Sequence, residues 1–155
     1  MIINVTGPFG GRPYNNQVAD KIRGAVAVMA VRLGIGHLPI TYEVKLGSTP
    51  NKLSCDSRGL AVVTKKYNKY QADIFVMRED KISEMISTLA HEMVHVKQFI
   101  KDGLSVSKSM YKGEKWVAAI GQDPYRDSPW EIEAHDKEVT LTNHYLRYLI
   151  MNKVK

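Results

Sequence analysis

The stretch Thr88-Leu-Ala-His-Glu-Met-Val-His-Val-Lys-Gln98 decides the reading of this chain, because His91, Glu92 and His95 form the pattern H-E-x-x-H. On a helix, side chains four residues apart leave the same face, so imidazoles at 91 and 95 can grip one metal ion. Glu92 is turned by about 100° from His91, beside the metal but not on it. Zinc in such a site lowers the pKa of a water to about 7, and a neighbouring carboxylate takes the proton as that water attacks a carbonyl. The flanks agree with a helix. Ile82, Met85, Ile86, Leu89, Met93, Val96 and Ile100 recur at helical spacing, and Thr88, His91, His95 and Gln98 fall on the adjoining stripe. The histidines therefore sit at the edge of a buried face, where a shielded metal site belongs. The bland alternative, a helix with two hydrogen-bonded histidines, has no use for the glutamate between them.

A catalytic zinc site takes three protein ligands and keeps one position open. The third ligand is sought in Pro129-Trp-Glu-Ile-Glu-Ala-His135, which offers Glu131, Glu133 and His135. Ser128-Pro129 opens a long helix that runs to about Met151, with proline in the first turn where it is tolerated. Glu131 and His135 share a face of that helix. Glu133 falls with Lys137, Thr140 and His144 on a polar, solvated face, at the right spacing for an ion pair with Lys137. Glu131 is thus favoured as the ligand, with His135 as its hydrogen-bonding support; His135 and Glu133 remain alternative ligands. A competing role for Glu131 also stands. Ser128-Pro-Trp-Glu131 matches a capping box, in which the glutamate only reaches back to the helix start. Ile132, Val139, Leu146 and Ile150 are read as the inner stripe of this helix.

Upstream of the motif, residues 2–6 read as a short strand and Gly7–Pro13 as a turn without the Gly-Lys-Ser/Thr ending of a phosphate loop. Val18, Ile22, Ala25, Val26, Met29 and Leu33 predict a helix over 14–33, stopped at Gly34. Leu38–Leu46, Leu60–Thr64 and Tyr70–Met77 read as strands, the last two joined by a basic turn over Lys65–Lys69. Short joins suggest an antiparallel meander. Asp80 is the expected N-cap of the motif helix, predicted over 80–101. Lys115–Ile120 is a candidate short strand in an otherwise illegible segment between Leu104 and Arg126. The expectation is an α+β domain spanning 1–155: an N-terminal helix, a small mixed or antiparallel sheet of three or four strands, the H-E-x-x-H helix and a long C-terminal helix.

A chain of 155 residues suits one domain with a real core. The single cysteine, Cys55, lies in a polar loop; it rules out an internal disulfide framework and fits a reducing compartment. The N-terminus carries no secretory pattern, and no run of apolar residues is long enough for a membrane span. The net charge of +6 allows a nucleic-acid partner. The dense basic cluster is Lys65-Lys66-Tyr67-Asn68-Lys69-Tyr70, so Lys65, Lys66 and Lys69 are the candidate DNA contacts. A second functional reading follows, of a basic nucleic-acid-associated protein whose metal site is structural or vestigial.

His91-Glu-Met-Val-His-Val-Lys-Gln98, followed by Tyr125-Arg-Asp-Ser-Pro-Trp-Glu-Ile-Glu-Ala134, resembles small phage and bacterial zincin-like metallopeptidases near the SprT-like proteins, which share H-E-x-x-H-x-x-Q. The Glu-x-x-Ala portion is similar to the E-x-x-A-D segment of gluzincin peptidases, in which the first glutamate binds zinc. The resemblance implies a zincin-like fold, Zn2+ as cofactor, a protein or peptide substrate, Glu131 as ligand, and His135 at the place of the supporting aspartate. It covers the second half of the chain, lacks the cysteine-rich zinc ribbon of some SprT-like proteins, and leaves residues 1–60 unmatched. The site expected from it and from the motif has His91, His95 and Glu131 on zinc and Glu92 as general base. Tyr125 or Tyr111 supplies a hydrogen bond to the developing oxyanion. The strand before the motif helix would take an extended peptide by edge pairing. The implied location is the cytoplasm of a bacterium or of a phage-infected host cell.

Overall fold

The computed structural model describes residues 1–7, 16–47 and 58–152. Cys55 and all of the Gly7–Pro13 turn beyond Gly7 lie outside them. The elements run in the order β1 (Ile2–Thr6), α1 (Asn16–Arg32), β2 (Ile40–Gly47), β3 (Gly59–Lys66), β4 (Lys69–Met77), α2 (Ile82–Lys101), β5 (Met110–Tyr111), β6 (Glu114–Lys115) and α3 (Pro129–Met151). The fold is α+β. Among the described residues no helix is long and apolar enough to cross a membrane.

The four longer strands form one mixed sheet in the order β1-β2-β4-β3. β1 pairs parallel to β2 and β2 parallel to β4, while β3 runs antiparallel to β4 at the edge. The predicted meander is therefore corrected. Within this sheet β3 and β4 are joined by a tight turn. β1 reaches β2 through helix α1, the kind of crossover that parallel neighbours need, and β4 lies between β2 and β3.

Alternation along the strands sets the core face. Ile40, Tyr42, Val44 and Leu46 of β2 and Ala72, Ile74 and Val76 of β4 are buried, in one core with Ile22, Val26 and Met29 of α1 and Met85, Ile86, Leu89 and Met93 of α2. Helix α2 is covered on several sides, by α3, α1, β3 and β4, and its buried set includes His91, Glu92, His95 and Gln98 as well as the apolar stripe. It begins at Ile82 with Lys81 at the N-cap and no side-chain cap, so Asp80 does not take that role; Glu84 in the first turn faces the positive end of the helix instead.

Helix α3 has the predicted span but turns a different face inward. Trp130, Glu131, Ala134, Leu141, Thr142 and Tyr145 are buried, whereas Ile132, Val139 and Ile150 are 50%, 58% and 76% exposed. Tyr145 anchors it to α1: its hydroxyl donates to the Lys21 carbonyl at 2.6 Å. A Cβ on Gly24 would stand 2.7 Å from that hydroxyl, so only glycine allows this approach.

The strand expected over Lys115–Ile120 shrinks to β6, paired with β5. Behind this small hairpin Leu104, Tyr111 and Trp130 form a second apolar cluster, in which the Tyr111 and Trp116 rings meet Trp130 edge-on. The turn of the β3–β4 hairpin is tighter than predicted. Tyr67 and Asn68 alone form it, at φ of 52° and 62°, the left-handed pair that two-residue hairpins favour. Lys65 and Lys66 close β3, and Lys69 opens β4 opposite Lys66.

Candidate metal centre

Three side chains from two helices converge. His91 and His95 leave α2 one turn apart, and the first turn of α3 brings Glu131 across to them. His91 Nε2 lies 3.1 Å from Glu131 Oε2, His95 Nε2 lies 2.9 Å from Glu131 Oε1, and the two Nε2 atoms are 3.1 Å apart. The three residues offer ligand atoms within 4.8 Å of one another, and all three are buried. Two imidazole nitrogens and a carboxylate form a donor set that zinc accepts. His91 Nδ1 is buried without a hydrogen bond, and Glu138 Oε2 lies 3.3 Å from it, on the side where a metal-ligating histidine takes a carboxylate partner. On these grounds the residues fit a divalent metal such as Zn2+. The capping-box role for Glu131 is not taken. Ser128 Oγ donates to the Tyr125 carbonyl at 2.7 Å, and the Glu131 carboxylate faces the histidines.

The electrostatics match cation binding. For His91, burial acts to lower the pKa, but the close Glu131 and Glu138 carboxylates outweigh it and push the value up to about 10. His95 is raised against the same desolvation by Glu131 and the nearby Glu92 carboxylate. Glu131 moves the other way: burial acts to raise it, yet the two histidines hold it down at about 2. Surroundings that hold protons on two buried imidazoles will also hold a divalent cation in their place.

Glu92 sits beside this cluster, 6% exposed, and burial pushes it up to about 7 despite the two histidines. It lines a cleft of about 360 Å³ together with Gly59, Thr88, His91, Tyr125 and Glu138. Edge strand β3 starts against it. A Cβ on Gly59 would stand 2.7 Å from Thr88 Cγ2 and 3.0 Å from Glu92 Oε1, so this strand passes the carboxylate only because residue 59 is glycine. Tyr125 lines the same cleft, and burial with the nearby Glu131 charge pushes its hydroxyl up to about 12. Tyr111 is in the cluster with Trp130 instead.

The remaining predicted residues are distributed as follows. His135 reaches the cleft wall, its ring 4.7 Å from that of His91. Its side chain is 57% exposed, its Nδ1 pairs with Glu138 at 3.0 Å, and its Nε2 is 4.0 Å from Glu131. The direct partner of a candidate ligand is thus Glu138, which sequence reasoning missed; its signal is the spacing 131, 135, 138 along one helix face. Glu133 does make the expected ion pair with Lys137, at 3.7 Å, but it is not on a solvated face. It accepts from Gln98 Nε2 at 3.1 Å and pairs with Lys97 at 3.3 Å and Lys112 at 3.4 Å. Burial acts to raise Glu133, and the Gln98 and Lys97 contacts overcome it, leaving it at about 2. Gln98 is the second residue whose part was not foreseen: wholly buried, it bridges His95 and Glu133. Lys65, Lys66 and Lys69 are not brought to the cleft. They flank the hairpin tip, about 20 Å along β3 from Gly59 at strand rise, with Lys66 Nζ 5.4 Å from the centre of the exposed Tyr67 ring. Set beside known proteins, the chain matches no family model, no curated protein and no solved structure.

Proposed function

We propose that this protein is a zinc-dependent peptidase in which His91, His95 and Glu131 hold the metal and Glu92 is the general base. The observation that carries the reading is the convergence of those three ligands beside a buried glutamate at the floor of an open cleft. Zinc bound there supplies a Lewis acid and lowers the pKa of a water to about 7. Glu92, poised at about 7, takes a proton as water attacks the scissile carbonyl and returns it to the leaving amine. Tyr125, with its hydroxyl held protonated, donates to the oxygen on which charge develops. Strand β4, before the motif helix, has neighbours on both sides, so it offers no edge for a peptide. Edge strand β3 takes that part: an extended peptide added to its free side would run past Gly59 and Glu92. A closed, purely structural site would need a fourth buried ligand, and His135, the nearest further imidazole to His91, is exposed.

Metal analysis of the purified protein tests this beside two variants. The wild type is expected to carry about one zinc per chain, His95→Ala to lose it, and Glu92→Gln to keep it while cleavage of an unstructured protein falls by about 10²–10⁴-fold. A wild type that takes up no zinc, or a Glu92→Gln variant that cleaves as fast as the wild type, overturns the reading.

A further inference from the structure

On the side of His95 away from the cleft, a chain of polar groups runs between α2 and α3. Gln98 is wholly buried among them. Its Oε1 lies 2.8 Å from His95 Nδ1, and its Nε2 donates to the Trp130 carbonyl at 2.8 Å and to Glu133 Oε1 at 3.1 Å. The amide has one orientation compatible with these partners. Flipped, its oxygen would face a carbonyl and a carboxylate, three acceptors with no donor, while its NH2 faced the imidazole. Both amide hydrogens are therefore spoken for by Trp130 and Glu133, and Oε1 can only accept. His95 Nδ1 must then donate, which leaves Nε2 as the nitrogen that faces Glu131 and His91, donating to Glu131 without metal and free to bind one when that proton leaves. Glu133 is itself fixed, by Lys97, Lys112 and Lys137, and Lys97 is tied in turn to Asp102 at 2.7 Å.

The second contact of Gln98 has a separate consequence. Trp130 immediately precedes Glu131 in the first turn of α3. One side chain on α2 thus grips the backbone beside the α3 ligand and the ring of an α2 ligand together.

We propose that Gln98 is a positioning residue of the metal centre: it fixes His95 as the Nδ1–H tautomer and sets the spacing between His95 and Glu131, while Glu133 with its lysines holds the amide the right way round. It does for His95 through an amide what Glu138 does for His91 by direct contact. The proposal rests on the metal-site reading above and names the residues that make that site selective in geometry.

Gln98→Met keeps the volume of the side chain and removes both hydrogen-bonding ends. Zinc affinity, measured by competition with a chromophoric chelator, is expected to fall about 10–100-fold, the usual cost of removing a partner of a ligating histidine. In the zinc-loaded wild type the His95 Nδ1 proton, read by imidazole nitrogen-15 NMR, is expected to exchange slowly with solvent; in Gln98→Met it exchanges fast. Glu133→Gln, a change at a partly exposed position, is expected to give a smaller loss in the same direction in both readouts. A folded Gln98→Met protein with wild-type zinc affinity and a slow Nδ1 proton overturns the relay. Should that variant fail to fold, Glu133→Gln with both readouts unchanged overturns it. A wild type that binds no zinc is a different result: it removes the metal centre itself, and the relay with it.

Discussion

Glu138 lies two turns beyond Glu131 on α3 and presents Oε2 to His91 at 3.3 Å. Two facts make it, and not His135, the support of His91. His135 is largely exposed and spends its Nδ1 on Glu138, and Glu138 is held below the usual carboxylate range, its burial outweighed by the two imidazoles of His91 and His135 beside it. An ionised carboxylate facing Nδ1 raises the basicity of Nε2 and holds the ring in place. Glu138→Ala is therefore expected to weaken zinc binding by about 10–100-fold and His135→Ala by much less, as read by chelator competition on both proteins; the reverse order would return the role to His135. His91, Glu92 and His95 were legible because a helix writes its geometry into spacings of one and four residues. Gln98 and Glu138 were not, because their partners lie on another helix, and nothing in the local pattern states which faces of two helices meet.

At the scale of elements, helix α3 shows how a functional face misleads hydrophobic counting. Ile132, Val139, Leu146 and Ile150 make the most regular apolar series along it, and that series points largely to solvent. The inward face carries Glu131 and Glu138 because it walls the cluster of His91 and His95, so polar residues occupy places that apolar ones fill in an ordinary core helix. What buries α3 is the remaining set, chiefly Ala134, Leu141 and Tyr145. Leu141→Ala is accordingly expected to cost about 2–5 kcal/mol of stability, as a large-to-small core change does, and Val139→Ala less than about 0.5 kcal/mol, as surface changes do. Denaturant unfolding of the two variants separates the readings, and equal losses would restore the predicted stripe. Strand pairing was hidden for a related reason. The alternation of β2 and β4 states which side chains are buried, but the same alternation serves parallel and antiparallel neighbours, so the order β1-β2-β4-β3 could not be read from it.

Over the whole molecule the charge is +6, yet the walls of the cluster gather Glu92, Glu131 and Glu138 around two histidines, and this inversion makes stability depend on pH in opposite ways with and without metal. Without metal, His91 is raised from 6.5 to about 10 and His95 is raised as well. A base raised on folding contributes stability that is complete below its unfolded value and is lost as pH climbs through the folded one. Glu92, raised from 4.5 to about 7, acts in the same sense: the folded form holds a proton that the unfolded chain has released, and that advantage fades as pH rises through about 7. Glu131 and Glu133, lowered to about 2, contribute stability that is present above 4.5 and lost as pH falls towards 2. The metal-free protein should therefore be most stable at about pH 5 and weaken towards alkaline pH. Zinc needs the imidazoles free of those protons, so its binding competes with them at low pH and strengthens as they leave, and a ligand that binds only the folded form adds stability in proportion to the logarithm of its binding. The gap in melting temperature between zinc-loaded and metal-free protein should thus widen steadily from pH 5.5 to pH 8.5. Thermal melts at fixed free zinc across that range measure it, and a gap that stays constant or narrows would show that the protons and the metal do not share one site.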